Sequence, residues 1–210
     1  MRVHLSIVLC ASLIASCASA PSSRSGVSTR YATSPPPTQT TAPLSLCSGV
    51  SISNAPPTDG FQRIANYQPQ AYIHGAAVMR APVSACVSSG FGPRRGGASG
   101  FHHGVDLYTR DPAPVYAGGD GVIEAVTAMR GYGNTILIRH AGGVKTRYAH
   151  LSAYAPGLRT GDRVRAGEFI GHTGRTGNAT AVHLHYEIIV DGKPRNPLTV
   201  GNQLVATLRD

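Results

Sequence analysis

Residues 121–152 read GVIEAVTAMRGYGNTILIRHAGGVKTRYAHLS. Two runs, GVIEAVTA at 121–128 and NTILIRHA at 134–141, alternate β-branched residues with other types, and MRGYG joins them. A third run, VKTRYAHLS at 144–152, follows a tight turn at AGG. Period-two alternation marks strands with one buried face. Outward from this core, RVRAGEFIGHTG at 163–174 and HLHYEIIV at 183–190 carry the same signature, and the latter ends in Asp191-Gly192, a strong hairpin-turn signal. No convincing amphipathic helix separates the runs. The expected fold is therefore mainly β, an antiparallel sheet domain over residues 81–200. No repeat at solenoid or propeller period is present.

Composition agrees: 25 Gly, 15 Pro and no Trp suit a turn-rich β protein. The formal net charge is +9, almost wholly from arginine, since lysine occurs only as Lys145 and Lys193. Such a balance suits an anionic partner, but the arginines are scattered, so charge alone does not choose one.

The amino terminus, MRVHLSIVLCASLIASC, places basic Arg2 before an apolar stretch from Leu5 to Ser16. That stretch is too short for a stable bilayer span and reads as a secretory signal. Its end, LIASC, resembles the lipobox of bacterial lipoproteins, which implies a lipid on Cys17 as the first mature residue. Cleavage after Ala20 is the alternative, but Pro21 would then follow the scissile bond. Residues 1–16 are thus expected to be a lipoprotein signal peptide. Residues 17–45, rich in Ser, Thr and Pro, cannot offset their ordering entropy and are expected to be a disordered tether. Residues 46–80 are expected to be a partly ordered pre-domain segment, and 201–210 a tail. Cys10 leaves with the leader and Cys17 takes lipid, so Cys47 and Cys86 are expected to pair in a disulfide-permitting compartment.

Side chains two apart on a strand share a face. In HLHYE, His183, His185 and Glu187 lie together, opposite Leu184 and Tyr186. Two histidines on a solvated face would account for that equally well. A second piece, FHHGVD at 101–106, sets His102 and Asp106 around flexible Gly104. A hydrolytic zinc site takes three protein ligands and leaves one position open; His102, Asp106 and one histidine of HLH would supply them. A third piece, RYAHLS, puts His150 near a strand end.

The segments SSGFGPR, HHGVD, PVYAGGDGVIEAV, GYGNTILIRHAGG, TRYAHLS, GDRVRAGEFIGHTGRTG and HLHYE stand in the order and at the approximate spacing of the lysostaphin/LytM-type zinc metallopeptidases. The resemblance runs from about Ala81 to Pro197. It implies an antiparallel metallopeptidase domain with an open groove and one Zn2+, held by His102, Asp106 and His185. It also implies that His183 and His150 are catalytic without binding metal; His183 is the expected general base, although the sequence does not separate their roles. The implied activity is hydrolysis of peptidoglycan cross-links, of D-alanyl-diaminopimelate type in a Gram-negative periplasm, by a lipoprotein anchored to the outer membrane through Cys17. Ala181 and Val182 replace the Gly-Pro often found before HxH, and RGGASGF before His102 is short, so the groove walls are expected to differ.

His103 is the nearest rival ligand; His140, His172 and His74 are expected to be structural, and Glu187 either orients a ligand or makes an unrelated bond. GDRVRAGEFIG also resembles the hairpin of lipoyl carriers, but no lysine stands at a modifiable tip. Nucleic acid is an unexpected partner for an exported chain without interleaved aromatics. The rival function is a non-catalytic scaffold that binds cell wall and activates an amidase; five intact site residues argue against it. No regulatory or adaptor partner is legible.

Overall fold

The computed structural model describes residues 43–49, 52, 54–94 and 100–201. The expected leader, Cys17, residues 17–42 of the tether and 202–210 of the tail lie outside the described residues. Strands β1 (Gln70–Ile73) and β2 (Ala76–Met79) form a hairpin, followed by β3 (Cys86–Ser89), β4 (Gly92–Pro93), β5 (Phe101–His102), β6 (Val105–Tyr108) and β7 (Pro114–Tyr116). The long strands come next: β8 (Gly121–Met129), β9 (Gly133–Arg139) and β10 (Lys145–Leu151). Strands β11 (Ala153–Tyr154), β12 (Arg163–Val164), β13 (Phe169–His172), β14 (His183–Val190) and β15 (Lys193–Arg195) complete the set. No α-helix occurs among the described residues, only a 3-10 turn at Ala141–Gly143.

The main sheet has the order β12-β8-β9-β10-β14-β6-β3, with β15 also on β14, and every strand pair in it is antiparallel. The runs read from the sequence are its centre. RVRAGEFIGHTG divides into β12 and β13, which belong to different sheets. A second sheet, β11-β13-β7, contributes Val115 and Ile170 to the apolar core that also holds Ile123, Ile136, Ile138, Leu107, Leu184 and Ile188 of the main sheet. Each such fully buried side chain stabilises by about 1.5–3 kcal/mol.

Residues before the domain share this core. Leu44, Ile64, Ala71, Ile73 and Val78 are all buried in it. Leu44 thus packs in the core from within the stretch read as tether, where it follows the Pro/Thr-rich run. Residues Ser45–Cys47 run beside β3, through a parallel bridge from Leu46 to Val87 and bonds Val87 N–H to Ser45 O (2.8 Å) and Cys47 N–H to Val87 O (3.0 Å). Cys47 and Cys86 are joined by a disulfide there. The β1–β2 hairpin sits behind the sheet: Tyr186 donates to the Met79 carbonyl at 2.7 Å, from the face of β14 opposite the histidines. Gly118 donates its N–H to Tyr148 Oη at 2.7 Å, and a Cβ on Gly118 would press on both tyrosine hydroxyls. The described part of the pre-domain segment thus supports the sheet from behind and along β3.

Candidate metal centre

Strand β14 places His183, His185 and Glu187 on the face away from the tyrosines, as alternation requires. Register brings their neighbours: His185 stands opposite Asp106 on β6 and Ala149 on β10, and Glu187 opposite Arg147. His102 enters from the two-residue strand β5, paired to β4 across Gly92.

His102 Nε2, Asp106 Oδ1 and His185 Nδ1 form a triangle with all three separations at 3.0 Å. Each corner is aimed by a bond on its far side. His102 donates Nδ1–H to the Gly90 carbonyl at 2.6 Å, leaving the Nε2 lone pair inward. His185 donates Nε2–H to Glu187 Oε1 at 3.0 Å, leaving Nδ1 inward. Asp106 turns its second oxygen to Arg94 at 2.7 Å, and the same arginine nitrogen reaches Ser89 Oγ at 3.1 Å. Three electron-rich atoms thus converge in a buried place where only a cation satisfies all of them. The corners of such a triangle lie about 1.7 Å from its centre, within the roughly 2.0–2.2 Å reach of metal–N/O bonds. The residues present fit a metal ion.

The electrostatics follow. Burial alone would raise the Asp106 carboxyl, but the hydrogen bonds that His102 and His185 give when their rings carry a second proton outweigh it and hold it well below the usual carboxylate range. His185 loses to desolvation but gains more from Asp106 and Glu187, so its net shift is upward. Glu187, fully buried, would be raised by desolvation; the bonds from His185, Arg147 and Tyr132 lower it instead. Arg147 reaches its Oε2 at 2.6 Å and Tyr132 its Oε1 at 2.8 Å, while the guanidinium lies 4.6 Å from the Tyr132 ring centre.

Two further histidines edge the triangle without joining it. His183 donates Nδ1–H to the Ala181 carbonyl (2.9 Å), and its Nε2 is 3.6 Å from Asp106 Oδ1. His150 donates Nδ1–H to the Thr176 carbonyl (2.8 Å), and its ring lies 4.8 Å from that of His183. Burial and the His183 charge push His150 down to about 4. Strict alternation would turn His150 into the core, because Tyr148 is a core residue and Ala149 faces the site. A bulge intervenes: Tyr148 pairs with Ile136 but Leu151 with Asn134, and His150 takes φ +62°. The extra residue turns the imidazole back to the metal side, at the strain a left-handed non-glycine carries.

His103 packs on Phe101 (5.4 Å between centres), His172 on Phe169, and His74 caps the β1–β2 turn. His140 is buried between the Asp120 carbonyl (2.8 Å) and Thr146 Oγ1 (2.7 Å). None of these joins the triangle. Sequence reasoning assigned no role to Arg94, Arg147, Tyr132 or Gly90. Arg147 was open to discovery, because it shares a strand face with Ala149 beside His185; the others act across loops that pattern does not connect.

The profile of peptidase family M23 matches residues 100–197, which carry His102, Asp106, His150, His183 and His185. The catalytic domain of the antimicrobial peptidase lysostaphin from Staphylococcus simulans is 34% identical, with TM-score 0.50; the match covers 54% of this chain and 89% of that domain. The chain belongs to peptidase family M23. A zinc-containing peptidase from Vibrio cholerae is 31% identical with TM-score 0.53, over 65% of this M23 chain and 41% of the other. The peptidoglycan DD-endopeptidase ShyC of Vibrio cholerae is 40% identical over 129 residues, which are 59% of this chain and 29% of ShyC. The chain spans less than a third of the length of the curated relatives it matches first.

Proposed function

We propose that this M23 chain is a zinc-dependent endopeptidase that hydrolyses peptide cross-links of peptidoglycan, of the D-alanyl-diaminopimelate type. The observation that carries the reading is the inequality of the five site residues. Three aim bare lone pairs at one point, and two present Nε2 beside it with their other nitrogen tied to a backbone carbonyl. A one-purpose ligand cage needs only the first set. The names of ShyC and of the zinc-containing relative supply the substrate class and the metal.

His102, Asp106 and His185 would hold the zinc. Bound zinc supplies Lewis acidity, lowering the pKa of water to roughly 7 and polarising a carbonyl. His183 Nε2 takes the proton of the attacking water as its oxygen bonds the scissile carbonyl carbon. The Ala181 carbonyl, accepting from Nδ1–H, steadies the resulting imidazolium. As the C–N bond breaks, His183 returns that proton to the leaving amine. His150 accepts the water's second O–H at its own Nε2 and so fixes the direction of attack.

The same proposal places the chain in the cell envelope, exported by residues 1–16 and anchored through a lipid on Cys17, with residues 17–45 giving reach. The Cys47–Cys86 bond and the +9 charge suit an oxidising compartment and an anionic polymer. Digestion of purified peptidoglycan, with and without chelator, followed by muropeptide analysis, tests it. Loss of cross-linked muropeptides that chelator abolishes is expected. Unchanged cross-linking by zinc-loaded protein would refute the catalytic reading in favour of an amidase-activating scaffold.

A further inference from the structure

We infer that the segment before the M23 domain is part of the metal centre's support, and that Asn54 is a positioning residue for the ligand His102. Both Asn54 and Gly90 lie outside residues 100–197. Asn54 grips Gly90 on both sides of its Cα: its Nδ2 donates to the Gly90 carbonyl, and its Oδ1 accepts the Gly90 N–H at 3.2 Å. That carbonyl is the one to which His102 donates Nδ1–H. Its orientation therefore sets which nitrogen of His102 carries the proton and where the Nε2 lone pair points.

The approach is close by construction. A Cβ on Gly90 would collide with the Asn54 carbonyl, so only glycine lets this stretch around Asn54, a strap before the domain, come this near. The strap is itself fastened. Ser45–Cys47 run beside β3, Cys47 is bonded to Cys86 at the start of that strand, and Ser45 and Leu44 close the loop against Arg63 and Ile64. Gly90 follows directly on β3. Asn54 on one side, and β3 with its disulfide on the other, thus meet at Gly90, whose carbonyl His102 uses. Among the described residues, the side-chain polar atom recorded near His102 Nδ1 is Ser89 Oγ at 3.4 Å, which Arg94 already engages. Partners one step behind a metal ligand govern affinity by about 10–100-fold. Asn54 stands one step further out, so the low end applies.

The inference rests on the zinc reading above. The test measures the zinc dissociation constant of the full chain by competition with a chromogenic chelator, beside thermal unfolding of the metal-free protein. Asn54→Ala is expected to raise the constant about tenfold, with a much smaller effect on the metal-free unfolding midpoint. Asn54→Asp, nearly isosteric, keeps the acceptor for Gly90 N–H but sets a carboxylate oxygen against the Gly90 carbonyl. It should fold and still weaken zinc severalfold. Replacing Cys47 and Cys86 by serine should weaken zinc in the same direction, and adding Asn54→Ala to that background should cost less than it does alone, since β3 and Asn54 both hold Gly90. An unchanged zinc constant in Asn54→Asp, or in a folded Asn54→Ala, would overturn the inference while leaving the enzyme reading intact. A wild-type chain that binds no zinc would overturn both.

Discussion

Glu187→Gln is the sharpest probe of how the site is built. The carboxylate is fully buried and divides its work: Oε1 accepts from Tyr132 and His185, and Oε2 faces Arg147 at 2.6 Å. Glutamine keeps one acceptor and replaces the other with two donors. With the amide oxygen toward Tyr132 and His185, the amide nitrogen meets the Arg147 guanidinium, and a partly buried cation loses its counter-charge. Breaking one partner of a buried pair costs about 3–5 kcal/mol. Arg147 retains 19% side-chain exposure and its stacking on Tyr132, so the low end, about 3 kcal/mol, is expected for the metal-free protein. Zinc affinity should also fall about tenfold, since a neutral amide steadies the His185 N–H less well than a carboxylate. Urea unfolding of chelated protein reads the first number and chelator competition the second. Pairing Glu187→Gln with Arg147→Met removes the orphaned cation, so stability should return to within about 1 kcal/mol of wild type while zinc stays weak. A double variant that recovers both, or a single variant that loses neither, would refute the division of Glu187 into a charge partner and a histidine orienter.

Four further outcomes follow from the same geometry. His185→Ala should lose stoichiometric zinc, whereas His183→Ala should keep most of it and lose turnover; elemental analysis beside muropeptide assay separates the two. Arg94→Met removes the one nitrogen that donates to both Asp106 Oδ2 and Ser89 Oγ, so zinc affinity should drop several-fold, read by chelator titration. His150→Gly should be more stable than His150→Ala by up to about 1 kcal/mol in denaturant unfolding, because the bulge demands a positive φ that glycine tolerates. Burial lowers the His140 pKa below its ordinary value of 6.5 despite the Asp120 carbonyl. The unfolded chain therefore binds the proton first as pH falls, so stability held above about 6.5 is lost on going down toward the folded pKa. His140→Gln should flatten that limb of a stability–pH curve.

The long strands were legible because side chains alternate between an apolar and a polar face in GVIEAVTA and NTILIRHA; in HLHYEIIV both faces are buried, one in the core and one in the site. The pairing of His183, His185 and Glu187 on one face followed from the same rule. What alternation could not give was His150, since the bulge that turns it reverses the rule over one residue, and nothing in TRYAHLS announces a left-handed φ. The second sheet was hidden for a different reason: strands of two to four residues leave too few positions for a period to show. Arg94 and Asn54 were invisible as site residues because their roles are tertiary. Each bonds to a group far away in sequence, through a loop whose course composition does not fix.

The alternation on β14 also explains why so much of the chain is spent behind the sheet. A slip of one residue in its register would send Tyr186 to the metal side and His185 into the core. Apolar packing resists this only in part, since Leu184 and Ile188 would find other partners. The two tyrosines add direction. Tyr186 donates to the Met79 carbonyl, Tyr148 accepts from Gly118 N–H, and Thr146 Oγ1 lies 2.8 Å from Tyr148 Oη. A slipped strand would leave the Met79 carbonyl without its donor and set the His185 imidazole among apolar side chains, at roughly 1–3 kcal/mol for each group left without a partner. The β1–β2 hairpin therefore holds β14 in the one register that puts His183 and His185 on the metal side. In the same way, the strap around Asn54 holds His102 from the front. Two pieces that precede residues 100–197 thus bear on the two halves of one metal centre.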